Sequence, residues 1–208
     1  MPSTIELRAA TPADTFVLAD LLVQLYAAEI PGALVGSLAA KRALLRYTLH
    51  AENYAGLHGR FIAHDQHGAI VGMAAARLPT EPTVQRAPAG TIRMAYTLLG
   101  FRNASRMLGT LARSLVAPTP PLPADHVYVH GVVVVAEQRG RGVGAQIMHK
   151  LEARLGEVGM RGVQLQVLID NSAAQRLYER LGYGVVGRSP RWMDRLTFAT
   201  NTMLKTWR

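Results

Sequence analysis

The sequence predicts an α/β (α+β) fold, a mixed and mostly antiparallel sheet with helices on both faces. A run of β-branched residues over residues 127–135 passes through a glycine-rich turn directly into an amphipathic helix. A further strand over residues 163–169 follows that helix, and a strand–helix–strand unit makes a parallel pair. Strand-like runs over residues 60–64 and 69–77 flank a short turn containing Asp and Gly, which indicates an antiparallel hairpin.

The N-terminal quarter is predicted to contain one strand and two helices. Residues 5–8 favour a short strand, and residues 11–14 supply a Thr cap, a proline at the first helical position and an acidic residue. Apolar residues then recur at helical spacing until Pro31 and Gly32 end the pattern. Residues 37–49 predict the second helix.

We expect a single domain over residues 1–208 that carries an insertion at about residues 79–126. Prolines interrupt regular pairing at its start, residues 94–116 predict a helix weakened by glycines, and the prolines of residues 118–123 indicate a stiff linker. Three roles stay open for the insertion, because such segments can shape a pocket, cover a sheet edge or form a dimer contact.

The C-terminal part is predicted to contain two helices and two closing strands. Apolar residues every four positions over residues 143–155 indicate a helix packed on the sheet. A second helix follows residue 171, where Asn171 can act as a helix cap and Ser172 with Gln175 can form a capping box. Residues 183–188 and 200–206 predict the closing strands.

Composition narrows the class of protein. The chain has 208 residues, of which 49% are hydrophobic and 18% charged, enough for one substantial core. It contains no cysteine, which excludes disulfides, thiolate catalysis and cysteine-bound zinc, and we expect a cytoplasmic protein. No leader pattern or membrane-spanning apolar stretch is evident, so no membrane role is expected.

A formal net charge of +9 favours acidic partners. The basic residues are scattered among apolar positions instead of forming a dense run, so a dedicated nucleic-acid surface is not expected. A phosphate-bearing small molecule fits the charge equally well.

The glycine-rich turn over residues 139–144, RGRGVG, is typical of a phosphate site. Glycine lets successive backbone N–H groups turn inward at a helix start, where unpaired donors and the helix dipole favour an anion. Arg139 and Arg141 add positive charge beside those donors.

The segment from Val127 to Tyr183 resembles the acetyl-CoA-binding core of the GCN5-related N-acetyltransferase (GNAT) family. That family's Arg/Gln-x-x-Gly-x-Gly/Ala motif matches Arg139, Gly142 and Gly144. A downstream segment with the pattern N-x-x-A-x-x-x-Y-x-x-x-G-F/Y matches Asn171 and Tyr178. The resemblance implies a sheet whose parallel strands splay, and acetyl-CoA as the co-substrate.

The resemblance also implies a set of cofactor contacts. The backbone of the strand before the turn would pair with the pantetheine arm, the turn and helix start would hold the pyrophosphate, and two downstream residues would complete the site. These residues are Val132, Val133, Val134, Arg139, Gly140, Arg141, Gly142, Val143, Gly144, Ala145, Asn171 and Tyr178.

Tyr178 is the predicted general acid, since the family's matching tyrosine commonly protonates the departing thiolate of coenzyme A. Gln166 stands where family members that acetylate protein N-termini have a glutamate, and an amide cannot accept a proton there. Strand alternation places Tyr128, His130, Val132 and Val134 on one face, so His130 is the candidate base, with Glu29 or a water chain as alternatives. No metal site is expected.

The predicted function is direct acetyl transfer to an amine of a small molecule or a protein, and a homodimer is possible. One alternative is a non-catalytic acetyl-CoA-binding regulatory module, because the usual glutamate is missing. Another is an NAD-dependent oxidoreductase, because Gly140, Gly142, Ala145 and the later Asp170 fit a variant dinucleotide fingerprint. Too little chain follows that motif for a doubly wound sheet.

Overall fold

The computed structural model describes residues 4–81, 87–115, 121–194 and 198–207. These residues form two compact units. One unit combines residues 4–9, 59–81 and 121–207 and contains the whole sheet. The other combines residues 10–58 and 87–115 and is helical.

The sheet unit contains seven strands in the order β1-β2-β3-β4-β5-β7-β6. All neighbours pair antiparallel except β4 and β5, which are parallel. This confirms the predicted fold class, a mixed and mostly antiparallel sheet with one parallel pair. The strands are β1 (Ile5–Ala9), β2 (Arg60–Asp65), β3 (Ile70–Arg77), β4 (His126–Val134), β5 (Gly162–Leu168), β6 (Gly184–Arg188) and β7 (Thr200–Thr206).

The helical unit consists of α1 (Thr15–Glu29), α2 (Leu38–Tyr54) and α3 (Thr91–Leu115). A single 3-10 turn, Pro12–Asp14, precedes α1, and the Asp14 carboxylate accepts hydrogen bonds from the backbone and hydroxyl of Thr11, each at 2.8 Å. Both α1 and α3 pack against α2. The glycine at position 100 interrupts α3 with a φ of +76°.

The sheet unit also contains α4 (Val143–Glu157) and α5 (Ser172–Arg180). Helix α4 lies against β1, β3, β4 and β5, because its apolar stripe of Val143, Ile147, Leu151 and Leu155 is buried in the sheet core. Tyr178 of α5 belongs to the same core, so both helices cover one face, the core face, of the sheet.

Two predictions about local structure need comment. The predicted capping box of Ser172 with Gln175 is wrong. Asn171 caps α5 by accepting a hydrogen bond from the Ala174 N–H at 3.1 Å. The side-chain amide of Gln175 instead donates to the backbone carbonyls of Leu168 and Ile169. The stiff proline linker falls largely outside the described residues. None of the helices within the described ranges is long and apolar enough to cross a membrane.

A buried carboxylate joins α4 to the last strands of the sheet. The Glu152 carboxylate accepts hydrogen bonds from the Tyr183 hydroxyl at 2.7 Å and from the Lys205 ammonium at 2.6 Å. Burial, followed by the Glu152 charge, raises the pKa of Tyr183 above its usual range, so this phenol stays a donor. The Tyr183 ring also meets the Tyr178 ring edge-on, with centroids 5.6 Å apart.

We predict that Tyr183→Phe lowers the free energy of unfolding by about 1–3 kcal/mol, because it removes one partner of a buried carboxylate. Urea denaturation followed by circular dichroism measures the change, with Lys150→Gln, at an exposed position of the same helix, as the control. A Tyr183→Phe protein as stable as wild type would contradict the structural role given to this hydrogen bond.

Candidate functional site

The parallel strands β4 and β5 part in the middle of the sheet. Their pairing runs from His126 opposite Gly162 to Val129 opposite Leu165, and stops there. Beyond that point β4 continues to pair with β3, and β5 with β7. The described residues therefore leave one backbone edge of β4, over residues 130–134, without a partner strand, which agrees with the splay that the family resemblance implies.

A bulge in β4 lies where the strands part. Ala75 of β3 faces Gly131 and the next residue, Ala76, faces Val129, so His130 is an extra residue in the ladder. The extra residue shifts the alternation of side chains, which corrects the sequence prediction that Tyr128, His130, Val132 and Val134 share a face.

Because of the bulge, the side chains of β4 are distributed between the two faces of the sheet differently from those of a regular strand. Val132 and Val134 pack against the core face together with Val127 and Val129. Tyr128 lies on the opposite face of the sheet, paired with Arg77 of β3. We call this face, which carries Arg77, Tyr128 and Gln166, the polar face.

The glycine-rich loop joins β4 to α4 in a left-handed conformation. Gly140 and Gly142 have φ values of +74° and +79°, which residues with a side chain adopt only under strain. A Cβ added at either position would meet no atom within 4 Å, so the space around the loop is open. Arg141 is exposed, and the Arg139 Nε donates a 3.0 Å hydrogen bond to the Val134 carbonyl.

Gly142 is the N-cap of α4, with no side-chain cap. The first hydrogen bond of the helix runs from the Gln146 N–H to the Gly142 carbonyl at 3.1 Å. The N–H groups of Val143, Gly144 and Ala145 therefore have no partner in the helix and carry its positive dipole end. Open space and unpaired donors at one loop fit an anionic group such as a diphosphate.

Gly144 has a different physical reason to be glycine. Its Cβ would lie 3.2 Å from the Leu177 side chain and 3.6 Å from the Val134 side chain. The missing side chain lets the first turn of α4 approach both β4 and α5 closely. The glycine-rich motif of residues 139–144 and the segment that contains Asn171 and Tyr178, which only the family resemblance connected in the sequence, therefore lie close together in the structure.

Tyr178 is buried in the core face, with 9% of its surface exposed. It lies on α5, whose start Asn171 caps, so the predicted acid and the predicted asparagine share one short helix. The capping bond occupies the side-chain oxygen Oδ1 of Asn171, and a cofactor contact for this residue stays a prediction.

The polar face carries a chain of contacts across three strands. The guanidinium of Arg77 lies over the Tyr128 ring, 5.4 Å from its centroid, and Nη1 donates to the Glu81 carbonyl at 2.9 Å. The Tyr128 hydroxyl donates to the Gln166 side-chain oxygen at 3.1 Å, directly beyond the last paired residues of β4 and β5. The sequence analysis missed Arg77, since an arginine that ends an apolar strand resembles an ordinary solvated terminus.

His130 is neutral at physiological pH. Burial, followed by the charges of Arg60 and Arg77, lowers its pKa to about 4. A neutral imidazole can accept a proton, but one with so low a pKa holds it weakly. Within the described ranges, no group of three or more His, Asp or Glu residues could hold a metal ion.

The fold and this site place the chain among α/β proteins in which two parallel strands part beside a glycine-rich helix start. The particular family follows from a direct match: residues 22–183 match the acetyltransferase (GNAT) family, and the chain belongs to it. The recognition made from the two motifs is confirmed.

Two relatives have names that describe their acceptors. The chain is 34% identical over 76 residues to an L-methionine sulfoximine/L-methionine sulfone acetyltransferase of Pseudomonas aeruginosa, covering 33% of this chain and 44% of that protein. It is 45% identical over 65 residues to a mycothiol acetyltransferase of Mycolicibacterium gilvum, covering 29% of this chain and 21% of that protein. Each match spans less than half of the relative's length.

A solved structure resembles the whole chain. The structure of yncA from Salmonella typhimurium, described with its cofactor acetyl-CoA, covers 99% of this chain and 95% of its own at a TM-score of 0.54 and 15% identity. At that identity the likeness shows the fold alone.

We predict that His130 makes stability pH-dependent. Its pKa in the folded chain, about 4, lies below the ordinary value of 6.5, so the unfolded chain binds more protons between these values. The stability that His130 contributes is complete above pH 6.5 and is lost as the pH falls towards 4. His130→Gln should therefore flatten the fall in melting temperature over this range.

The control is His149→Gln, because the His149 side chain is 62% exposed. A nuclear magnetic resonance titration that places the His130 midpoint near 6.5 would contradict the prediction directly.

Proposed function

We propose that this protein is an acetyl-CoA-dependent N-acetyltransferase that moves an acetyl group directly to an amine. The observation that carries the proposal is the edge of β4 that has no partner strand among the described residues and ends at a glycine-rich loop whose N–H groups have no partner within the helix. An extended arm can pair with the strand edge while the attached diphosphate binds at the helix start. Family membership supports the same donor.

The proposed donor site uses only the chain's own groups. Backbone groups of Val132, Val133 and Val134 would align the arm, and the N–H groups around Gly142 would bind the diphosphate. Exposed Arg139 and Arg141 would add charge from the side. Acetyl-CoA, when bound, supplies an activated acetyl thioester.

Tyr178 is the proposed general acid. Its helix packs against the loop through Leu177 and Gly144, which ties the position of the phenol to the donor site. Transfer of a proton to the leaving sulfur would let the carbon–sulfur bond break without release of a free thiolate. Direct transfer follows because the chain has no cysteine to carry an acetyl group.

His130 is the proposed base, with Glu29 or a water chain as the alternatives. His130 lies where the strands part and is unprotonated at neutral pH, but its low pKa weakens it as a base. Glu29, at the end of α1, is half-buried, and burial raises its pKa to about 8, close to the value that general-base catalysis near neutral pH requires.

The proposed acceptor is an amine of a small molecule, with a protein amine as the alternative. The L-methionine sulfoximine acetyltransferase among the relatives supports a small acceptor. A cytoplasmic location and a homodimer stay predictions from the sequence, as do the single domain and the role of residues 79–126.

The donor site is tested by Gly142→Ala. Calorimetry should show that wild-type protein binds acetyl-CoA and not NAD, and that the variant binds acetyl-CoA at least about tenfold more weakly because its loop is strained. Gly182→Ala is the matched control, since Gly182 has a φ of +86°, also has open space around it and lies after α5. Equal losses of affinity in both variants, or no acetyl-CoA binding by folded wild-type protein, would overturn the proposal.

The acid role is tested by Tyr178→Phe. We expect turnover to fall by about a hundredfold or more while acetyl-CoA affinity changes by no more than about twofold, because the lost hydroxyl acts in the transition state. Thiol release from acetyl-CoA in the presence of an amine panel measures turnover.

Tyr183→Phe is the control, since its ring touches Tyr178 while its hydroxyl binds Glu152. Full activity of Tyr178→Phe across pH would refute the acid role. Acetyl-CoA binding without transfer to any amine would favour the non-catalytic regulatory module instead.

A further inference from the structure

We propose that the acceptor carries a carboxylate and that Arg77 binds it on the polar face. The inference rests on the proposed acetyl transfer and names the class of acceptor: a small amine that also bears a carboxylate. The observations that carry it are the burial of Arg77, its partners and its position in the sheet.

Arg77 is a buried charge without a carboxylate partner. Only 6% of its surface is exposed, and a guanidinium keeps its charge at every physiological pH. Its contacts are the Glu81 carbonyl and the Tyr128 ring, and it forms no ion pair with the described residues. A buried charge is costly unless an opposite charge pairs with it, so a substrate carboxylate would complete this site.

Position in the sheet assigns that carboxylate to the acceptor. The glycine-rich loop, α5 and Tyr178 all belong to the core face, which is the side proposed for the donor. In direct transfer the amine must meet the acetyl group in the gap between β4 and β5. The polar face is the other side of that gap. There Arg77 contacts the ring of Tyr128, and the Tyr128 hydroxyl donates to Gln166 where the strands part.

The charge of the polar face also selects against other amines. Burial, followed by the charges of Arg60 and Arg77, lowers the pKa of His130 to about 4, so His130 adds no positive charge of its own beside these arginines at neutral pH. A polyamine would bring further positive charge to this face, whereas a carboxylate can accept two parallel hydrogen bonds from a guanidinium.

The test compares amines that differ only in the carboxylate. The pairs are L-methionine with 3-(methylthio)propylamine and L-2,4-diaminobutyric acid with 1,3-diaminopropane, with spermidine as a polyamine. Thiol release should give wild-type protein a kcat/KM at least about tenfold higher for a carboxylate member than for its decarboxylated partner.

Arg77→Gln should bring that ratio close to one, mainly by raising KM for the carboxylate member, and Arg77→Lys should keep part of the preference. Arg161→Gln is the control, because Arg161 is exposed and precedes the opposite, paired end of β5. Acetyl-CoA affinity checks that each variant is folded. If Arg77→Gln fails to fold, Arg77→Lys and the wild-type ratios still decide the question.

The other possible results separate a failure of the carboxylate site from a failure of the proposed acetyl transfer. Equal use of both members of every pair, preference for spermidine, or an unchanged ratio in Arg77→Gln overturns the carboxylate site while acetyl transfer stands. Binding of acetyl-CoA without transfer to any of these amines overturns it as well. Failure to bind acetyl-CoA removes the proposed function itself, and the inference with it.

Discussion

The parting of β4 from β5 after Val129 is the constraint on which the rest of the site depends. While two strands stay paired, their backbone groups satisfy one another and no ligand can bind between them. The bulge at His130, in the ladder with β3, lies where the pairing with β5 stops, and β4 remains paired with β3 beyond it. The site therefore has an open backbone edge within an otherwise continuous sheet.

The same bulge explains why the two faces of the sheet differ. The bulge shifts the alternation of side chains along β4, so the four valines on this strand that contact the core all lie on one face. They are Val127, Val129, Val132 and Val134, and α4 can pack along the full strand. A regular strand would turn two of these valines to the other face and leave α4 with poorer support. Packing of α4 in turn fixes the start of that helix, where the unpaired N–H groups lie.

Local patterns predicted most of the fold, because each strand and helix has its own apolar period and end signals. The hairpin of β2 and β3, the helix after the glycine-rich loop and the final strands all form near the predicted residues. The bulge could not be predicted from β4 alone, since it exists only relative to the register of β3. For the start of α5 the sequence offers both Asn171 as a cap and a capping box of Ser172 with Gln175, and only the geometry of the chain shows that Asn171 caps the helix.

The part of the candidate site in which the backbone conformation favours glycine was predictable from the sequence. The part in which a charged side chain is buried by other strands was not. Gly140 and Gly142 have positive φ values, which favour glycine over other residues. The glycine motif in the sequence therefore directly indicates this backbone conformation. Arg77 looks in the sequence like the polar end of a strand, and only its burial beneath Tyr128 makes its charge significant.

The low pKa of His130 also depends on tertiary structure, because burial is its main cause and the charges of Arg60 and Arg77, which come from other strands, add to it. The positive charge that makes His130 a weaker base also makes the polar face suited to an anion. In the proposed mechanism, base catalysis by His130 and recognition of a carboxylate by arginine would therefore oppose each other. A bound carboxylate would offset the part of the pKa shift that the arginine charges cause, while burial, the main cause, would remain, so acceptor binding would raise the pKa of His130 only in part.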